Sequence, residues 1–153
     1  SVMNGAFAMQ TWIDPNAYSN LSGVAYGFFG GGTASITFTP SSGKQVTLSS
    51  LMLGTAPPNV TRPTTVDVID LATNLTVFTT LVNVGAVAPT VSPNVTSATG
   101  LRLQYGIDVF NVALDNITYS TSDVPSTGGV PEPSTVLLSA AGLLAAAKFR
   151  RRA

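Results

Sequence analysis

From Ser1 to Ser120 the β-branched and aromatic residues come in short runs, broken about every eight to twelve residues by clusters of Gly, Pro, Asn or Ser. That rhythm leaves little room for helices and predicts an all-β body. Ala34-Ser35-Ile36-Thr37-Phe38-Thr39 alternates apolar and hydroxylated residues, the period-two pattern of a strand with one buried face. Pro40-Ser41-Ser42-Gly43 turns the chain, and residues 45–53 follow with Val46, Leu48 and Met52 expected on one face, so that 33–53 reads as a hairpin. A second hairpin is expected where residues 64–71 and 75–81 flank Ala72-Thr73-Asn74. Leu101, Leu103 and Tyr105 share one face of a further strand, and residues 109–119 form the last. Residues 84–97, with Pro89 and Pro93, read as loop. Tyr26-Gly27-Phe28-Phe29 and the three glycines after them read as a bulge or turn beside core aromatics, or as a binding rim. Roughly seven to nine short strands in such a length suit a β-sandwich, most naturally of jelly-roll type.

Charge and composition remove whole classes of function. Residues 1–129 hold three basic residues (Lys44, Arg62, Arg102) against six aspartates, a net of −3, and the remaining residues carry +3, so the zero total hides a split. No basic stripe for nucleic acid exists in the body. There is no cysteine, hence no disulfide framework and no thiolate metal site. There is no histidine, which removes the Ser-His-Asp triad and histidine-bound zinc. The body also lacks glutamate, so hydrolysis by paired carboxylates would need two of Asp14, Asp67, Asp70, Asp108, Asp115 and Asp123 to converge. Asp67 and Asp70, three apart in an extended segment, point to opposite faces. The expectation is a non-catalytic protein.

The end of the chain has a different character. Residues 135–147 are uncharged and apolar on all sides, with only Ser139 and Gly142 as small interruptions, and Lys148, Arg150, Arg151 and Arg152 follow. A helix with no polar face does not lie along a membrane surface. It would be about 20 Å long against a hydrocarbon core of about 30 Å, so spanning needs snorkelling of the basic residues and local thinning. The basic cluster stays on the cytoplasmic side and orients the body outward. Pro133 suits the first turn of such a helix. Ser1 is not preceded by a basic and apolar leader, so an export signal that has been removed, or a fragment, is expected.

Val130-Pro131-Glu132-Pro133-Ser134, the apolar run and the terminal arginines resemble the PEP-CTERM sorting signal of exported proteins of Gram-negative bacteria that make extracellular polysaccharide. The resemblance implies that Pro131, Glu132 and Pro133 are read by an exosortase, a membrane-embedded processing enzyme, before the helix and arginines are removed. It covers the tail alone. A looser resemblance covers Gly100-Leu101-Arg102-Leu103-Gln104-Tyr105-Gly106 and Val112-Ala113-Leu114-Asp115-Asn116-Ile117, which look like the ending of exported jelly-roll domains, including carbohydrate-binding modules. That likeness implies a last-strand aspartate, Asp115, as ligand of a structural calcium, the one cofactor expected; the alternative is a surface aspartate beside a bulge.

Trp12, Tyr26 and Phe28, with Tyr18 and Phe29, are candidates for a platform that stacks on sugar rings, against the alternative of core packing. Five Asn-X-Ser/Thr triplets, at Asn20, Asn59, Asn74, Asn94 and Asn116, read as compositional. The expected organisation is a jelly-roll-like β-sandwich over 1–120, a flexible linker over 121–129, and a sorting signal over 130–153 with one short transmembrane helix at about 134–149. The expected partners are an exosortase, the inner membrane and extracellular polysaccharide. The expected destination is an inner-membrane-anchored precursor, then the cell surface or matrix. The two functional readings are a structural envelope or matrix component and a carbohydrate-binding module.

Overall fold

A computed structural model describes residues 9–13, 17–19, 21–27 and 32–125, without the side chains of residues 9, 10 and 12. Within them lie ten strands: β1 (Met9–Trp12), β2 (Val24–Gly27), β3 (Gly32–Phe38), β4 (Lys44–Thr55), β5 (Arg62–Asp70), β6 (Thr76–Val84), β7 (Thr90–Val91), β8 (Val95–Ser97), β9 (Leu101–Ile107) and β10 (Val112–Asp123). They form two antiparallel sheets. The larger runs β1-β2-β10-β4, with β7 and β8 sharing the far edge of β4, and the smaller runs β3-β9-β5-β6. The body is a jelly-roll-like β-sandwich, as the rhythm of the sequence predicts.

The core lies between the sheets. Val46, Leu48, Leu51 and Leu53 of β4 and Val112 and Leu114 of β10 face Val66 and Val68 of β5 and Leu101, Leu103 and Tyr105 of β9, all nearly inaccessible to water. Burying each such side chain contributes about 1.5–3 kcal/mol. A second cluster, Tyr18, Leu21, Val24, Tyr26 and Ala113, covers the other face of the larger sheet. Gly54 makes that cover possible, since a Cβ there would stand 2.6 Å from the carbonyl oxygen of Tyr18.

The hairpin expected over 64–81 forms, with Val66 opposite Thr80 and Val68 opposite Phe78. The hairpin expected over 33–53 does not. β3 pairs with β9, Ile36 opposite Leu103, while β4 pairs with β10 in the other sheet. The turn at residues 40–43 therefore carries the chain from one sheet to the other. Non-local partners with long complementary strands outcompete the adjacent one, because both β3 and β4 need a buried face. The expected loop at 84–97 contributes β7 and β8, and β10 runs to Asp123, three residues into the expected linker, held by Lys44 opposite Asp123.

Met52 is also not on the face of Val46 and Leu48. Two compensating irregularities between β10 and β4, one beside Asn116 and Ile117 and one beside Ser49, shift the alternation, so Leu51 and Leu53 turn inward. Met52 packs instead against the outer cluster. Asn116 takes the left-handed conformation (φ 50°) that such a bulge requires, as do Asn74 (φ 54°) and Asn94 (φ 53°) at the turns that precede β6 and β8. Three of the five Asn-X-Ser/Thr triplets thus arise where an asparagine makes the turn and a strand-forming threonine follows.

A candidate binding cleft between the sheets

Beyond the bulge, Ile117, Tyr119 and Thr121 return to the inner face of β10, where Tyr119 lies opposite Leu48 and Thr121 opposite Val46. β3 is the edge of the smaller sheet, and its Ile36 and Phe38 are only partly buried. An open cleft of about 390 Å³ lies between these two elements, with Val46 at its base and Thr37, Thr39 and Thr121 along its sides. Phe38 and Tyr119 meet at 5.2 Å between ring centroids, inclined at 52°. Tyr119 nevertheless stays 56% exposed. Two register steps beyond Thr121, Lys44 and Asp123 pair at 2.6 Å on the same face. The arrangement offers an accessible aromatic face over an apolar floor, ringed by hydroxyl groups and one ion pair. That suits a ligand with apolar C–H faces and many hydroxyls.

The aromatics expected from the sequence fare differently. Tyr26 is 6% exposed, packed at 5.8 Å from Tyr18 and edge-on to Phe110 at 6.1 Å, and offers no face to a ligand. Its place in the outer cluster follows from strand parity, which sets it beside Ala113 beneath Ala17, Tyr18 and Leu21. Tyr18 donates its hydroxyl to the carbonyl of Phe110 at 2.8 Å, and burial, then Tyr26 and Asp108, push its pKa up to about 12, so the phenol stays protonated. Phe28 and the side chain of Trp12 lie outside the described residues. Phe38 and Tyr119 were legible as strand residues, but their exposure depends on how far the opposite sheet reaches.

Asp115 lies on the outer face beside the bulge, opposite Met52. Its Oδ1 accepts the backbone N–H of Asn116 at 2.7 Å. Among the described residues no three acidic side chains gather as a metal site would need. The other aspartates hold the frame: Asp108 accepts from Arg62 Nη1 at 2.9 Å and from Asn111, and Asp70 ties two turns together. Among the described residues no helix is long and apolar enough to cross a membrane. Pro131, Glu132, Pro133, the expected helix at 134–149, and Lys148, Arg150, Arg151 and Arg152 lie outside the described residues.

Comparison with known proteins decides the tail. Residues 129–152 match the PEP-CTERM protein-sorting motif. The chain carries an exosortase sorting signal. The motif indicates an exported protein, with an exosortase as its processing partner. Among solved structures, one titled "CBM4 structure and function" superposes with a TM-score of 0.44 at 16% identity, over 77% of this chain and 81% of that one. No curated protein matches this chain.

Proposed function

We propose that this protein is a non-catalytic component of the cell envelope or extracellular matrix, delivered as a membrane-held precursor and released to the surface when the exosortase acts on Pro131-Glu132-Pro133. The observation that carries the reading is the sorting motif at residues 129–152. The uncharged run at 135–147 and the basic residues after it are the physical elements of a membrane hold oriented with the body outside. Replacing Pro131, Glu132 and Pro133 together by alanine should leave the full-length chain in the membrane fraction, and unchanged release would overturn the sorting role.

A second reading, favoured by the exposed Tyr119 beside Phe38, is that the cleft binds extracellular polysaccharide. Aromatic stacking supplies affinity and the threonine hydroxyls supply direction. Calorimetry of the protein against a panel of such polysaccharides tests it. Saturable binding that is lost in Tyr119→Ala supports the cleft, and binding that survives the substitution rejects it.

A further inference from the structure

β6 is the outer strand of the smaller sheet, paired with β5 on one side and with no strand on the other among the described residues. Strand edges of this kind are usually guarded by a charge, a proline or a strong twist, because their free N–H and C=O groups accept another strand. β6 has neither charge nor proline, and its one irregularity against β5 is a bulge at Thr76–Val77, which leaves residues 77–84 in regular alternation. It is nine residues of Thr, Val, Phe, Leu and Asn, and no charged residue occurs between Asp70 and Arg102. Its outer face presents Val77, 47% exposed, and Leu81, 69% exposed, on either side of Thr79.

We propose that β6 is a self-pairing edge that joins two copies of this chain antiparallel about Thr79, fusing their four-stranded sheets into one of eight. The strand is complementary to itself in that register. Val77 of one copy falls opposite Leu81 of the other, twice, and Thr79 falls opposite Thr79; apolar and Thr–Thr cross-strand pairs of this kind are favourable. On the core side Phe78 meets Thr80, twice, so no charge is buried. The nearest like charges are the two Asp67 side chains, each one strand removed from the axis opposite Thr79. Three strand spacings put them about 14 Å apart, beyond a Debye length of about 8 Å at physiological salt. A second copy is the occupant because an identical edge supplies both the unused backbone groups and the matching apolar residues.

The chain has no cysteine, so a single introduced thiol reports the contact cleanly. Directly opposed residues have Cα atoms about 4.5–5.5 Å apart, within the range a disulfide accepts. In the full chain held in a mild nonionic detergent, Thr79→Cys should form a disulfide-linked dimer on gentle oxidation. Thr33→Cys, exposed on the opposite edge strand β3, should not. Adding V77K/L81K sets like charges against each other and should abolish the crosslink. Adding V77E/L81K sets opposite charges face to face and should retain it. Both double variants carry two outward charges, and circular dichroism verifies that each is folded. Crosslinking of T79C no better than T33C, or equal loss with both double variants, would overturn the proposal.

Discussion

Ser97 donates its hydroxyl to Asp70 Oδ2 at 2.7 Å, joining the end of β8 in the larger sheet to the end of β5 in the smaller. The other oxygen of Asp70 accepts the backbone N–H groups of Ala72 and Thr73, each at 3.0 Å, and so holds the turn into β6. Ser97 in turn accepts from the N–H groups of Thr99 and Gly100 at 3.2 and 3.1 Å, and so holds the turn into β9. Two turns and two sheets meet at one carboxylate and one hydroxyl.

That corner makes the fold acid-sensitive. The Ser97 hydroxyl, then the N–H of Thr73, hold the Asp70 carboxyl at about 2, below its ordinary 3.8. A depressed carboxylate stabilises the fold fully above the unfolded value, and that contribution is lost as pH falls toward the folded one. Urea unfolding between pH 5 and 2 should show wild-type stability falling below about pH 4, with a shallower fall in Asp70→Asn. Equal slopes would remove Asp70 from that role. Ser97→Ala leaves two N–H groups without their acceptor and should cost about 1–3 kcal/mol at neutral pH.

Thr64 is buried, and its hydroxyl has no hydrogen-bond partner among the described residues. Thr64→Val keeps the shape and removes an unsatisfied polar group. The variant should be more stable by about 1 kcal/mol in urea melts, and a loss of stability would point to a partner for the hydroxyl.

Gly54 lies under the carbonyl of Tyr18, with room for no side chain. Gly54→Ala must lift Tyr18 and Leu21 off the larger sheet, at a cost of about 1–3 kcal/mol. Near-ultraviolet circular dichroism should register the disturbed Tyr18–Tyr26 contact, and an unchanged spectrum with unchanged stability would rule out close packing there.

At the bulge, Asn116 accepts a left-handed backbone that alanine tolerates poorly. Asn116→Ala should cost about 1 kcal/mol and Asn116→Gly much less, as read by thermal melts. Asp115 shapes the same bulge through the Asn116 N–H. If that is its role, Asp115→Ala lowers the melting temperature by the same amount with and without calcium. A loss seen only with calcium would return Asp115 to metal binding.

In the cleft, removing the ring of Tyr119 takes away the exposed aromatic surface while leaving Leu48 beneath it covered by the core. Under the polysaccharide reading, Tyr119→Ala should weaken binding about tenfold, the equivalent of about 1.4 kcal/mol. Trp12→Ala serves as the comparison, since the sequence points to Trp12 and the structure to Tyr119.

What the sequence alone determined is whatever its neighbours in the chain can decide. The sorting signal is a linear word, read without any fold, and residues 129–152 bear it out. Period-two alternation marked the strands, and Ala72-Thr73-Asn74 is short enough that β6 folds straight back onto β5. Only the tertiary structure decided what depends on distant partners. β3 lies beside β9 and β4 beside β10 because each buried face needed a long complementary strand, and adjacency across Pro40–Gly43 could not supply it. The extra residue at Ser49 turned Leu51 and Leu53 of β4 inward in place of Met52, as the bulge at Asn116 did for Ile117 and Tyr119 of β10, since one unpaired residue reverses the parity of everything after it. Tyr26 became core and Tyr119 became surface for a reason no residue type expresses. Ala17, Tyr18 and Leu21 cover the first, and the smaller sheet ends at β3 before it covers the second.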